Sequence, residues 1–271
     1  MAVDYDRHVA PFHAPFANRV LDDVHLRSGE RVVDVGCGTG MLTLAAASSL
    51  GPRGVALGID VARGMVAQAR QNAARSGIPT VAFLRMDARN LAWRDSSMDA
   101  VVSCLGLPFI GWRGFFAEAY RVLHPGGRIV ACEWAGGGTA VTRIFRELLN
   151  RAEAGNPPQD ILRLEEARAC LREIAPQDNP SPDEWPTALA SLGFRDPRCV
   201  RETIEREFPA PDDYIAYMGA FADIGWRLTS MGSAAQITFR REFASAVRPF
   251  RKGSRLVVPG DVLIYIASKP A

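Results

Sequence analysis

The stretch RVVDVGCGTG, residues 31–40, decides the fold. It opens with a short apolar run rich in β-branched valine, and a run of this length predicts a buried strand. Gly36, Gly38 and Gly40 follow at alternate positions, and residues 41–50 have the composition of a helix. Because glycine has no Cβ, such a turn lets the backbone bend tightly and approach a ligand. A strand, a glycine turn and a helix N-terminus together predict a nucleotide site.

The spacing of these glycines differs from the dinucleotide fingerprint G-x-G-x-x-G, and Asp34 stands two residues before the first of them. The resulting pattern D-x-G-x-G-x-G resembles motif I of the class I methyltransferases that use S-adenosylmethionine (AdoMet). In that family the turn holds the amino-acid part of a sulfonium nucleoside, and S-adenosylhomocysteine is the product. The resemblance therefore implies AdoMet as the cofactor.

Further pieces follow in the order that this family shows. Three more strands, a helix and the turn HPGG are predicted at residues 54–60, 80–86, 99–105, 115–123 and 124–127. The likeness is strongest to the ubiquinone and menaquinone C-methyltransferases and related natural-product enzymes. It covers residues 28–135, about two-fifths of the chain, and transfers only cofactor contacts.

Acidic residues at the ends of the second and third predicted strands are the main candidates for binding the nucleoside. Asp60 can accept two charge-assisted hydrogen bonds from ribose hydroxyls, worth about 1.5–3 kcal/mol each. The resemblance implies that Asp87 accepts from the adenine amino group and that Cys104, where relatives often have serine, lies beside the sulfonium. The predicted cofactor-binding residues are Tyr5, Asp34, Gly36, Cys37, Gly38, Thr39, Asp60, Val61, Met65, Asp87, Ala88 and Cys104.

The resemblance implies an α/β fold, with a Rossmann-like, seven-stranded, mostly parallel sheet, helices on both faces and an added helical lid. The regions expected are an N-terminal helical lid segment (1–30), the AdoMet-binding core (31–135), a helical acceptor lid (136–195) and the C-terminal strands with a helical insertion (196–271). Later helices are predicted at 139–154, 160–175, 211–222 and 233–250, and later strands at 128–134, 199–208 and 261–268.

Methyl transfer is an in-line displacement that depends mainly on alignment, so no catalytic motif is required. A general base would still add about 10²–10⁴-fold, and His13, followed by His8, is the candidate because both lie near the expected acceptor. Both histidines are equally compatible with ordinary packing. Tyr5 and Phe109 are candidate rings facing the methyl group. Trp134 and the apolar lid residues predict either an acceptor pocket or helix packing; the latter are Phe145, Tyr214, Tyr217, Met218, Phe221, Trp226 and Met231.

Composition limits the partners. The 271 residues carry a formal net charge of +2, too close to neutral to favour nucleic acid. The five scattered cysteines favour reduced thiols and give no zinc spacing, so no metal site is predicted. Neither a signal peptide nor a membrane span is predicted, so a cytoplasmic location is expected. The expected partner is a hydrophobic small-molecule acceptor, and a homodimer is compatible with the sequence.

The hypothesis is an AdoMet-dependent methyltransferase that acts at carbon or oxygen of a hydrophobic small molecule, such as a quinone, polyketide or terpenoid, by direct displacement. An NAD-dependent oxidoreductase would also suit Asp60, but the glycine spacing, Asp87 and HPGG count against it. Enzymes that methylate amino groups of nucleic acids or proteins usually carry Asn or Asp before Pro-Pro-aromatic, whereas residues 106–109 are GLPF. A natural-product cyclase that binds AdoMet without methyl transfer stays an open alternative.

Overall fold

One sheet carries the fold in this computed structural model, which describes residues 2–106, 111–136, 138–152, 159, 162–163, 166 and 180–271. Its strands are β1 (Arg31–Val35), β2 (Val55–Asp60), β3 (Val81–Arg85), β4 (Met98–Cys104), β5 (Leu123–Trp134), β6 (Arg195–Phe208), β7 (Arg251–Lys252) and β8 (Arg255–Ser268). The order across the sheet is β3-β2-β1-β4-β5-β8-β6, and β7 pairs with β8 beside this path. Strands β1 to β5 are parallel to one another, and β8 runs antiparallel to both β5 and β6.

The glycine turn lies where the strand order reverses. Strand β1 lies between β2 and β4 in the sheet. The connection from β1 to β2 therefore runs toward one edge of the sheet, and the connection from β4 to β5 runs toward the other edge. Val32, Val33 and Val35 are fully buried, as expected for a parallel strand covered on both faces. Ligands bind at the carboxyl ends of the strands at such a reversal, which is where the turn begins.

Helices cover both faces of the sheet. The helices in the described part of the chain are α1 (Ala2–His8), α2 (Ala10–Val24), α3 (Met41–Leu50), α4 (Arg63–Ser76), α5 (Trp112–Val122), α6 (Ala140–Arg151), α7 (Trp185–Ser191), α8 (Pro211–Gly219), α9 (Ala222–Ser230) and α10 (Ser233–Ala246). Phe116 of α5 and Trp185 of α7 bury one face, and Phe16 of α2 and Leu42 of α3 bury the other. Full burial of one such side chain stabilises the fold by about 1.5–3 kcal/mol.

A further apolar cluster joins the lid helices to the end of β6. Phe145 of α6, Tyr214 of α8 and Phe243 of α10 pack together with Phe208, and all four side chains are fully buried. None of the helices in the described part of the chain has both the length and the hydropathy that a membrane crossing requires.

The prediction of an α/β fold with a mostly parallel sheet is confirmed, and β7 adds a two-residue eighth strand. Several boundaries were wrong. The helix predicted at 211–222 ends at Gly219, because Phe221 has an extended backbone (φ −86°, ψ 127°), and a separate helix, α9, begins at Ala222. Strands β6 and β8 begin earlier than predicted because they pair with each other over most of their length. The helix predicted at 160–175 lies almost wholly outside the described residues.

Candidate active site

The glycine turn forms the floor of the candidate site. Gly36, Gly38 and Gly40 have positive φ angles of 72°, 54° and 92°, which L side chains rarely adopt. A Cβ at Gly36 would lie 2.8 Å from the Cα of Gly106, so the turn passes directly against the backbone that follows β4. At Gly38 the nearest neighbour of such a Cβ is the Tyr5 ring, at 3.8 Å. The turn is therefore closed on the β4 side and covered by Tyr5 at Gly38.

Asp60 ends β2 and turns its carboxylate toward the glycine turn. Its Oδ2 accepts from the Gly38 N–H at 3.0 Å, and its Oδ1 accepts from the Ala62 N–H at 2.8 Å. Because a carboxylate has about four lone-pair sites, it can still accept two ribose hydroxyls. The geometry is compatible with the predicted ribose role, which stays a prediction.

Asp34 lies buried in β1 below the turn. Its Oδ2 accepts from the Thr43 Oγ1 at 2.6 Å, whereas its Oδ1 is buried and has no hydrogen-bond partner among the described residues. Burial raises the pKa of this carboxyl group to about 7. A buried acceptor left without a partner costs about 1–3 kcal/mol. A ligand that donates hydrogen bonds here would offset that cost, so the site fits a ligand that carries an ammonium group.

The other predicted cofactor residues differ in their exposure and in the partners that they contact. Asp87 forms an ion pair with Arg89 at 2.7 Å, and hydrogen bonds from Arg89 lower the pKa of its carboxyl group. The Asp87 carboxylate is therefore already engaged, and a hydrogen bond from the adenine amino group would have to share it with Arg89. A hydrogen bond with Cys132 and burial raise the pKa of the Cys104 thiol, which stays neutral. Cys37, Thr39 and Ala88 are buried, Met65 is half-buried and Val61 is exposed.

Helix α1 is tethered to the glycine turn by polar contacts. The Asn72 side-chain amide on α4 donates to Asp6 Oδ1 at 2.8 Å and to the backbone oxygen of Thr39 at 2.9 Å. Gln68 reaches the same Asp6 carboxylate at 3.4 Å. These contacts hold Tyr5 over the turn, so the N-terminal helix closes one side of the site.

A buried polar chain lies beyond Tyr5. The His13 Nε2 is 3.0 Å from the Tyr217 hydroxyl, which accepts from the Arg206 Nη1 at 3.0 Å. The Tyr5 and His13 ring centroids are 6.2 Å apart, in an edge arrangement. Burial, and then the positive charge of Arg206, lower the pKa of His13 to about 3. The imidazole is therefore neutral at pH 7, and its Nε2 is engaged with the Tyr217 hydroxyl.

The structure does not bring the two candidate histidines together. His8, at the end of α1, lines a cavity of about 280 Å³ together with Asp4 and Asp212. His13 instead contacts Tyr217, which lines the larger cavity. Of the two histidines, His13 is the one that contacts a residue lining the larger cavity.

The larger cavity has a volume of about 590 Å³, within the usual range for small-molecule sites. Its walls combine apolar side chains with charged groups from α6, β6, α9 and β8; the lining includes Trp134, Tyr214, Tyr217, Met218, Phe221, Arg143, Arg146, Arg206, Asp223 and Asp261. Four of the predicted apolar lid residues therefore line it, together with Trp134. Phe145 is buried in helix packing and Met231 lines the smaller cavity, while Phe109 lies outside the described residues.

Arg206 was not among the residues predicted for the site. It stands two positions from both Ile204 and Phe208 on β6, so it shares their face of the strand, and this spacing could have indicated an inward side chain. In the part of the chain that the structure describes, no three His, Cys, Asp or Glu side chains are grouped to hold a metal ion.

The buried state of His13 predicts a pH effect on stability. A pKa near 3 in the folded chain against the usual 6.5 means that the unfolded chain binds the proton more readily. The contribution of the neutral, buried His13 to the free energy of unfolding is full above pH 6.5 and is lost as the pH falls toward 3. Asp34 acts oppositely, because its raised pKa contributes stability at low pH that is lost as the pH rises through about 7.

We therefore expect the difference in free energy of unfolding between wild type and His13→Gln to change by about 2 kcal/mol between pH 7 and pH 5. Urea unfolding of both proteins at pH 7 and pH 5 measures this change. The contribution of Asp34 cancels in the difference, because both proteins contain Asp34. An equal pH dependence of the two proteins would show that His13 titrates normally.

Comparison with known proteins shows that the chain is similar to methyltransferases. The family described as a methyltransferase domain matches residues 32–127. Nocamycin O-methyltransferase of Saccharothrix syringae is 30% identical over 223 residues, which are 79% of this chain and 76% of that protein. The aklanonic acid methyltransferase of Streptomyces sp. (strain C5) is 35% identical over 126 residues, 46% of this chain and 57% of that protein. The demethylmenaquinone methyltransferase of Symbiobacterium thermophilum is 34% identical over 118 residues, 40% of this chain and 44% of that protein.

Solved structures show the same fold. The YcgJ protein of Bacillus subtilis superposes with a TM-score of 0.58 at 19% identity, covering 96% of this chain and 99% of that one. A phosphoethanolamine N-methyltransferase of Haemonchus contortus gives 0.54 at 17% identity, over 94% and 53% of the two chains. Fold and site define a methyltransferase. The chain belongs to the class I AdoMet-dependent methyltransferases, which confirms the predicted family, the Rossmann-like fold and the cofactor and decides against an NAD-dependent oxidoreductase.

Proposed function

We propose that this protein transfers the methyl group of AdoMet to carbon or oxygen of a hydrophobic small molecule held in the larger cavity. The observation that carries the proposal is a chain of side-chain contacts that runs from the glycine turn to the wall of this cavity. Tyr5 touches Gly38 on one side and faces His13 on the other, and His13 hydrogen-bonds to Tyr217 in the cavity wall. A donor on the turn and an acceptor in the cavity would therefore both border this chain of side chains.

The chain's own residues bind, orient and exclude water. AdoMet, when bound, supplies a methyl group already activated by its sulfonium, so alignment can contribute about 7–11 kcal/mol of the barrier. We assign Asp60 to the ribose and Asp34 to the ammonium group, and Tyr5 with α1 to the exclusion of water. Residues 1–30 and 136–195 form the lid in this proposal, around the core at 31–135 and the C-terminal strands at 196–271.

The relatives support a small-molecule acceptor, since their names refer to aklanonic acid, nocamycin and demethylmenaquinone. The proposal includes a cytoplasmic location and no nucleic-acid partner, and a homodimer is compatible with it.

Incubation with methyl-labelled AdoMet and a panel of aromatic hydroxy acids, quinols and polyketide-like phenols tests the reaction. We expect label in one product class, together with one equivalent of S-adenosylhomocysteine. A cyclase would convert an acceptor while the label stays on AdoMet, and that result would contradict the proposal.

We further propose His13 as the base that accepts the acceptor's proton. Replacing His13 with glutamine is expected to lower kcat/KM by about 10²-fold, the lower end for a general base. Binding of S-adenosylhomocysteine, measured by calorimetry, should stay unchanged. His25→Gln at an exposed position is the control, and His8→Gln is the comparison between the two candidate histidines. A larger loss from His8→Gln than from His13→Gln would reject this assignment.

A further inference from the structure

Arg206 is a buried cation in the wall of the acceptor cavity. Only 3% of the residue is exposed, although it stands on β6 between outward-facing charged neighbours. Four aromatic rings surround its guanidinium at centroid distances of 5.0–5.8 Å, those of Phe16, Trp134, Phe208 and Tyr217. The side chain lines the cavity of about 590 Å³.

This guanidinium is incompletely satisfied. Its Nη1 donates to the Tyr217 hydroxyl at 3.0 Å, but its Nε is buried without a hydrogen-bond partner among the described residues. No carboxylate of the described residues forms an ion pair with it. Asp261, an acidic group in the cavity wall, accepts from Thr203 and pairs with Arg201 instead. Among the described residues the positive charge therefore has no ion-pair partner, although Asp223 and Asp261 also line the cavity.

Such a charge is costly unless something compensates it. A buried ion is stable only when it is paired or hydrogen-bonded, and the surrounding rings offset part of the desolvation through cation–π contacts. The planar guanidinium presents a fork of N–H donors that matches a carboxylate. Trp134 and Tyr217 add flat apolar surfaces beside that fork.

We propose that Arg206 anchors an ionised carboxylate of the acceptor, so that the cavity selects aromatic or polyketide-like carboxylic acids over their neutral analogues. The inference rests on the proposed function, because it names the acceptor class for the same cavity. Arg206 acts here in binding and specificity. The anion would also offset the charge that faces His13.

Binding of 2-naphthoate and of its neutral isostere 2-naphthamide tests this assignment. Both are titrated into the full chain saturated with S-adenosylhomocysteine, with calorimetry and intrinsic tryptophan fluorescence as readouts. Wild type should bind the carboxylate at least tenfold more tightly than the amide. Arg206→Gln should bind the two equally, Arg206→Lys should keep part of the preference, and Arg198→Gln, at an exposed position of the same strand, should keep all of it.

Equal affinities of wild type for the two probes would overturn the inference, and this comparison needs no variant to fold. So would a folded Arg206→Gln variant that still prefers the carboxylate. The outcome is separable from the proposed function. A preference for carboxylates without transfer of labelled methyl would reject the reaction and retain Arg206, whereas methyl transfer without the preference would reject Arg206 alone.

Discussion

Replacing Asp60 with alanine is expected to weaken the binding of S-adenosylhomocysteine by about 10³-fold. Two charge-assisted bonds to ribose hydroxyls contribute about 1.5–3 kcal/mol each, and every 1.4 kcal/mol is about tenfold in affinity. The same carboxylate also accepts from the N–H groups of Gly38 and Ala62, so its removal frees the glycine turn. Calorimetric titration of both proteins measures the change.

Two further variants separate these contributions. Asp60→Asn keeps the shape and one oxygen acceptor but removes the charge, so its loss should be smaller than that of alanine. Asp22→Ala removes an acidic group from an exposed position of α2 and should bind the ligand as wild type does. If Asp60→Ala bound S-adenosylhomocysteine as tightly as Asp22→Ala, the ribose assignment would be wrong.

Local sequence was sufficient for the strand and turn that hold this site. Val32, Val33 and Val35 favour a buried strand, and glycines at alternate positions allow the positive φ angles that a tight turn requires. Helix α4 ends at Ser76 because Gly77, with a φ of 67°, stops it. These features depend on residues close in sequence.

The acceptor side depended on contacts between distant residues and was predicted poorly. Arg206 looked like one more charge on an edge strand, since nothing near it in sequence shows that α2 and α8 cover this part of β6. The link between His13 and Tyr217 spans 204 positions. Such a contact follows from how the lid helices pack on the sheet, which a period of hydrophobic residues does not specify. Trp134 could be assigned to the cavity only after its neighbours were known.

Replacing Gly36 with alanine is expected to lower the free energy of unfolding by about 4 kcal/mol. The positive φ of 72° disfavours any L side chain, at a cost of about 1–3 kcal/mol. The new Cβ would also lie 2.8 Å from the Cα of Gly106 and 3.2 Å from its carbonyl oxygen. Because these neighbouring atoms belong to the backbone, no flexible side chain can move to make room. Overpacking of this kind adds about 1–3 kcal/mol. Urea unfolding at pH 7 measures the difference.

Gly29→Ala is the matched control for this change. Gly29 has a φ of 90°, but a Cβ there would meet nothing within 4 Å, so only the conformational cost applies. The difference between the two variants therefore isolates the contact between the turn after β1 and the chain after β4. Because that contact shapes the floor of the donor site, Gly36→Ala should also weaken S-adenosylhomocysteine binding, whereas Gly29→Ala should reduce stability alone. Equal destabilisation of the two variants would mean that the loops at the switch point separate easily, and the close approach would then have no role in forming the site.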